Sequence, residues 1–211
     1  MKKITALRAG RGRRKRVNLF LDGKFAFGLE ADVVVKEGLE VDQELSEEQV
    51  RALNRSSDLK RCYDAAALLL SYRPRSEPEL KGRLRRRGFD GESIEAVITR
   101  LKQQSLVDDT AFAQFWKENR ETFSPRSQRL TRLELRRKGV AENIIDQVVE
   151  TIDEEDNAYR AAVRKSRSLP RSDYQIFRRR LGEHLKRRGF SYGVINHTVN
   201  RIWQDEENSS E

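Results

Sequence analysis

The chain has 211 residues, with 43 Lys and Arg against 34 Asp and Glu, a net charge of +9, a pI near 9.8 and a mean hydropathy of −0.81. Its single cysteine, Cys62, excludes an internal disulfide and fits a reducing, cytoplasmic setting; no apolar run has the length of a signal-peptide core or a bilayer span, so no membrane association is expected. The positive balance favours a polyanion or an acidic protein surface as partner, and 36% charged residues suit an extended array with much surface.

The first 57 residues read differently from the rest. Ile4-Thr5-Ala6-Leu7 predicts a strand. Val17 to Leu21 and Lys24 to Leu29 alternate around Asp22-Gly23, a pair suited to a type I′ turn with two positive φ angles, which predicts a hairpin. A lone hairpin is marginal in water and must pack on something. Ala31 to Lys36 predicts a short helix that stops near Gly38. Ser46-Glu47-Glu48-Gln49 is a capping box that opens a helix through about residue 54. Residues 55–58 are either a break or a continuation into the first of three repeats.

From there one pattern occurs three times. It reads Leu84-Arg85-Arg86-Arg87-Gly88-Phe89, Leu135-Arg136-Arg137-Lys138-Gly139-Val140 and Leu185-Lys186-Arg187-Arg188-Gly189-Phe190, with the glycines 51 and 50 residues apart. Self-similarity at such a period marks a repeat array. Six residues after each glycine come Ile94, Ile145 and Ile195; nine after, Val97, Val148 and Thr198. Ten after come Ile98, Val149 and Val199, and thirteen after, Leu101, Ile152 and Ile202. These offsets share one face of a helix. A helix therefore comes after each glycine, and another precedes it: Ser76-Glu77-Pro78-Glu79, Ser124-Pro125 and Ser172-Asp173-Tyr174-Gln175 are helix-opening signals. Each unit starts with a further helix, carried by Tyr63 to Tyr72, by Phe112, Phe115 and Trp116, and by Tyr159, Ala162 and Val163. Aromatics at helical spacing read as core rather than as base-stacking platforms.

The expected fold is mainly α, an elongated, curved tandem array of three three-helix repeats with a small N-terminal β-hairpin or sheet. The expected boundaries are 1–57 for the N-terminal part, then repeats at 58–106, 107–155 and 156–204, and an acidic tail at 205–211. Single three-helix units of this size bury little and gain stability by stacking on a neighbour.

Charge marks the candidate sites. Cations in a last helical turn are favourable by ~0.3–1 kcal/mol each without any ligand, because they face the negative end of the helix dipole. The dipole does not require three consecutive cations in three places, so Arg85, Arg86, Arg87, Arg136, Arg137, Lys138, Lys186, Arg187 and Arg188 form a candidate binding set. Arg11, Arg13, Arg14, Lys15 and Arg16 join it, since no helix end accounts for them. The acidic runs Asp108-Asp109 and Asp153-Glu154-Glu155-Asp156 read as helix-capping or solvated faces. Two histidines thirteen positions apart and one cysteine give no zinc spacing, and there is no nucleotide-binding glycine loop. The expectation is a binding protein, not an enzyme, with no catalytic residues, metal or cofactor.

The three helix ends of Leu-x-x-(Lys/Arg)-Gly-(apolar) form, the junction Leu106-Val107-Asp108-Asp109-Thr110-Ala111-Phe112-Ala113 and the run Leu133-Glu134-Leu135-Arg136-Arg137-Lys138-Gly139-Val140 resemble the RecX family of bacterial recombination regulators. The resemblance covers about residues 63–203, and the hairpin is similar to an N-terminal extension of some members. Ser124-Pro125-Arg126-Ser127 departs from the family pattern, which has a glycine before that helix. The resemblance implies a cytoplasmic monomer that lies in the groove of the RecA filament on single-stranded DNA and modulates RecA, usually by inhibition of strand exchange, ATP hydrolysis and the co-protease activity behind the SOS response. The alternative is a helical repeat protein that binds DNA directly and without sequence preference. Sequence-specific readout is disfavoured, because the helices after the glycines expose Glu92, Glu95, Glu142 and Asp146, and acid facing a duplex is unfavourable.

Overall fold

The computed structural model describes residues 1–10, 16–170 and 172–208. The basic residues Arg11, Arg13, Arg14 and Lys15 lie outside the described residues. The chain forms two compact units, one of residues 1–73 and 81–104 and one of residues 74–80 and 105–211.

The first unit begins with strands β1 (Lys2–Ala9), β2 (Arg16–Leu21) and β3 (Lys24–Glu30), then helix α1 (Ala31–Lys36), β4 (Glu44–Leu45) and the long helix α2 (Glu47–Tyr72). The sheet order is β3-β2-β1-β4, and all pairings are antiparallel. The turn between β2 and β3 has φ of 49° at Asp22 and 79° at Gly23, the geometry that Asp-Gly favours. Lys2 and Lys3 pair with Leu45 and Glu44 of the two-residue strand β4, too short to leave a periodic trace in sequence. The hairpin gains its support from a core of Ile4, Leu19, Leu21, Leu29, Leu39, Leu45 and Leu53, which α1 and the start of α2 complete.

At Ser46 the capping box forms as expected: the Gln49 amide donates to Ser46 Oγ (3.1 Å) and the Ser46 amide to Gln49 Oε1 (2.8 Å). The helix does not end near residue 54. Of the two readings of residues 55–58 the continuation is the one that forms: α2 has 26 residues without a break, so the sheet-packing helix and the first helix of the first repeat are one element. Cys62, Ala66 and Leu69 of α2 are buried, as are Leu84 of α3 (Glu77–Arg86) and Ile94, Val97, Ile98 and Leu101 of α4 (Gly91–Gln103), and α2 packs on α4.

The second unit holds α5 (Asp109–Phe123), α6 (Gln128–Arg137) and α7 (Glu142–Val149), then α8 (Glu154–Ser166), α9 (Tyr174–Arg187) and α10 (Tyr192–Asn208). One core gathers Phe112, Ala113, Leu135, Val140, Ile145, Val148, Val149 and Ile152, with Trp116 against it. A second gathers Ala158, Ala161, Ala162, Phe177, Leu181, Leu185, Phe190, Ile195, Val199 and Ile202, with Tyr159, Val163 and Trp203. All twelve residues at the 6, 9, 10 and 13 offsets are buried. The acidic runs are caps: Asp108 Oδ1 accepts from the Thr110 and Ala111 amides, Asp153 Oδ1 from the Asp156 amide, and Asp109 Oδ1 from the Glu77 amide at 2.7 Å.

One opening signal needs correction. The N-cap of α6 is Ser127, whose hydroxyl accepts from the Leu130 amide at 3.1 Å; Ser124 instead ends α5. The reason lies in tertiary structure, because the Ser127 amide donates to the Arg188 carbonyl at 3.1 Å. An equivalent joint occurs one period earlier, where the Ser76 hydroxyl donates to the Lys138 carbonyl at 2.5 Å. In each case the carbonyl end of a second helix meets the amide end of the second helix one period before it, so opposite partial charges face each other. The repeated glycine makes room. A Cβ on Gly139 would lie 2.6 Å from Pro78 Cβ, and one on Gly189 would lie 2.5 Å from Ser127 Oγ and 2.9 Å from Leu130 Cβ. A Cβ on Gly88 would meet nothing within 4 Å, although all three glycines have positive φ.

Gly88→Ala is therefore expected to lose only the cost of the left-handed conformation, about 1–2 kcal/mol. Gly139→Ala and Gly189→Ala are expected to lose at least about 1 kcal/mol more through overpacking. Urea unfolding monitored by far-ultraviolet circular dichroism measures the order; equal losses at all three positions would contradict the joint.

Candidate binding surface

The nine cations at the three helix ends are not equivalent. Arg85, Arg86 and Arg87 are all exposed, and none makes an ion pair or hydrogen bond through its side chain among the described residues. Arg137, Lys186 and Arg187 are likewise exposed and unpaired among the described residues. Arg136 forms a two-pronged contact with Glu142, at 2.7 Å from Nε and 2.6 Å from Nη2. That contact, with help from Arg132, holds the Glu142 carboxyl down at about 2.

The last cation of the second and third triplets belongs to the joints. Lys138 Nζ lies 3.4 Å from Glu79 Oε2 and 4.9 Å from the centre of the Trp116 ring. Glu79 is also held by Arg75 at 2.7 Å, and both of those side chains are nearly buried. Arg188 Nη1 donates to Ser124 Oγ (2.9 Å) and the Pro125 carbonyl (3.1 Å), while its Nε donates to His184 Nε2 (2.9 Å). The helix dipole accounts for neither contact; what sequence could not supply was the partner one period away. Arg87, at the same place in the first triplet, has no such partner among the described residues and faces solvent.

Arg16, the one member of the N-terminal basic run that is described, is half-buried on β2. Its Nη2 donates to the Gly28 carbonyl at 2.9 Å, and its Nε is buried without a hydrogen-bond partner. It lines a cavity of about 570 Å³ with Asn18, Asn54, Ser57, Asp58 and Arg61. Sequence reasoning put Arg16 with its neighbours as a ligand-facing charge; its position in the sheet gives it a second task.

Other charged groups neutralise one another on the helix surfaces. Lys81 Nζ meets Glu95 Oε2 at 2.6 Å, and Arg132 meets both Asp146 and Glu142. Glu134 accepts from Trp116 Nε1 and Arg120 Nε, each at 2.8 Å, and pairs with Arg126. Burial lowers the pKa of Arg120 and Arg126 from the ordinary guanidinium value. Cys62 is buried, and desolvation pushes its thiol up to about 11, which leaves it unreactive as a nucleophile at neutral pH. Among the described residues no cluster of His, Cys, Asp and Glu could hold a metal ion, and no helix is long and apolar enough to cross a membrane.

These features define a class: a mainly helical repeat protein, with an N-terminal sheet, that presents unpaired cations at matching helix ends. The family comparisons carry this further. The RecX N-terminal domain matches residues 2–46, and the first, second and third RecX three-helix domains match residues 62–101, 108–149 and 153–199. This chain belongs to the RecX family of regulatory proteins. Regulatory protein RecX of Clostridium beijerinckii is 28% identical over 208 residues, which cover 96% of each chain. That of Chlorobium limicola is 38% identical over 139 residues, covering 66% of this chain and 87% of the relative. A crystal structure of regulatory protein RecX superposes with a TM-score of 0.62 at 25% identity, covering 95% of this chain and all of the other. RecX from Lactobacillus salivarius shares the fold, with a TM-score of 0.58 at 22% identity over 71% of this chain and 98% of the other.

His184 provides a pH test of the Arg188 joint. Burial, then the charges of Arg188, Lys165 and Arg187, push its pKa down to about 4. Because the folded value lies below the ordinary 6.5, the unfolded chain takes up the proton first. The contribution to stability is complete above the unfolded value and is lost as pH falls towards the folded one. The urea midpoint is expected to drop between about pH 7 and about pH 4.5, and His184→Gln to flatten part of that drop. An unchanged pH slope in the variant would remove His184 as its cause.

Proposed function

We propose that this chain binds the RecA filament on single-stranded DNA and modulates RecA, lowering its strand exchange, ATP hydrolysis and co-protease activity and so the SOS response. It acts as a cytoplasmic monomer, by binding and not by chemistry. Membership of the RecX family over nearly the whole chain carries this reading. The surface supports it: Arg85, Arg86, Arg87, Arg137, Lys186 and Arg187 are solvent-facing and unpaired among the described residues, at equivalent places in three repeats. Weak contacts of that kind, linked in one chain, add through effective concentration. Arg11, Arg13, Arg14 and Lys15 add further positive charge to the chain, while Arg136, Lys138 and Arg188 act first within the fold.

A helical repeat protein that binds DNA alone is the rival, and the same six cations suit it. Binding to bare single-stranded DNA and to RecA-coated DNA, measured side by side, separates the two. Tighter binding to the coated strand than to the bare one, with slower RecA ATP hydrolysis, supports the proposal; equal binding to both supports the rival. The variant with Arg85, Arg86 and Arg87 all changed to Gln is expected to bind the filament about tenfold more weakly at low salt and to show a shallower salt dependence. Changing Arg188 instead is expected to cost stability first.

A further inference from the structure

The three repeats differ in the groove between their second and third helices. Seven residues before the repeat glycine stand Lys81, Arg132 and Gly182; seven after it stand Glu95, Asp146 and Asn196. In the first repeat these two positions form the Lys81–Glu95 ion pair, and in the second the Arg132–Asp146 pair, with Glu142 added from three after the glycine. In the third repeat both charged members are gone. Gly182 has no side chain to reach across, Asn196 carries no charge, and Tyr192 replaces the acid at three after the glycine.

The result is an open groove of about 360 Å³ between α9 and α10. Its cationic lining is Arg178, Arg179 and Lys186, against one carboxylate, Glu183. Arg178 Nη2 donates to Asn196 Oδ1 at 3.5 Å, and its guanidinium also meets the Tyr192 hydroxyl. Tyr192 is 73% exposed, and its hydroxyl faces Asn196 and Arg178, which hold the phenol below its ordinary pKa. The chemistry is thus a flat aromatic face beside a guanidinium and an ammonium that form no ion pair among the described residues, in a slot whose inner wall is Ile195. A glycine in the interior of α9 weakens that helix relative to the Lys and Arg of its siblings. It leaves the groove unfilled.

We propose that this groove is a subsite for single-stranded nucleic acid, with a base stacked on Tyr192 and the flanking phosphates on Arg178 and Lys186. Charge complementarity selects the occupant: a polyanion satisfies the unpaired cations, and a base with a free π face uses the exposed ring, as in sequence-tolerant single-strand binding. The subsite takes only its biological setting from the RecA reading, because it is defined on bare nucleic acid without RecA.

The test uses the full chain and a fluorescein-labelled oligothymidylate of about twelve nucleotides, read by anisotropy at about 50 mM salt. Tyr192→Ala is expected to weaken binding about fivefold or more, with Tyr192→Phe close to the parent. The pair R178Q and K186Q is expected to weaken it and to flatten the salt dependence by a slope of roughly 1.4, at ~0.7 per phosphate contact on a single strand. The double variant G182R and N196D rebuilds the ion pair of the second repeat. A Cβ at position 182 meets only Ile195 Cγ2, at 3.6 Å, so the fold has room for it, and oligonucleotide binding is expected to fall as in Tyr192→Ala. Parental affinity in both Tyr192→Ala and the rebuilt variant would overturn the proposal. So would a loss in R178Q and K186Q with Tyr192→Ala unchanged, which is unspecific phosphate attraction. A loss seen on RecA-coated DNA alone would mark the groove as a protein-binding face and overturn it also. If the expected pattern appears on the oligonucleotide while RecA filaments are not bound, the subsite stands and the RecA reading fails.

Discussion

The contact on which the second unit depends is the meeting of two helix ends, repeated at one period. A helix leaves its last carbonyls without intrahelical partners, and each joint gives one of them a donor from the start of another helix. The Lys138 carbonyl takes the Ser76 hydroxyl and the Arg188 carbonyl takes the Ser127 amide. The contact brings the backbone at one helix end against first-turn and cap side chains of another helix, so the residue that ends the helix must combine a left-handed φ with the absence of a Cβ. Gly139 and Gly189 meet both demands, and the residues they touch, Pro78, Ser127 and Leu130, are themselves in first helical turns or caps.

That joint also sorts the charges. A basic residue placed just before the glycine can be recruited sideways into the contact, as Lys138 is by Glu79 and Trp116 and Arg188 is by Ser124 and Pro125. Residues one and two positions earlier point away from it and stay in water. The exception, Arg136, is held by Glu142, an acid supplied by the next helix. The free cations are therefore what remains after the fold has taken its share: all three in the first triplet, Arg137 in the second, and Lys186 and Arg187 in the third.

The grooves between second and third helices obey a related logic with a different outcome. Where a cation and an acid face each other across the groove, the pair closes it. Where Gly182 and Asn196 stand instead, the groove is open and its remaining cations form no ion pair among the described residues. Repeats that share a fold can thus diverge in surface chemistry through two or three side chains, since these positions contribute little to the buried core.

The sequence by itself determined the repeat, the buried stripes and the hairpin. The period of the glycines, the 6, 9, 10 and 13 offsets and the Asp22-Gly23 turn are local signals, and local backbone preference and amphipathic spacing decide such features. It did not determine that α2 runs unbroken through residues 55–58, that β4 exists, or that Ser127 and not Ser124 caps α6. Nor could it divide nine similar cations into those that hold the fold and those that face water. Only tertiary structure decided these, because each depends on a partner far away in sequence. Residues 44–45 become a strand through Lys2 and Lys3, Ser127 a fixed cap through Arg188, and Arg188 a structural residue through Ser124.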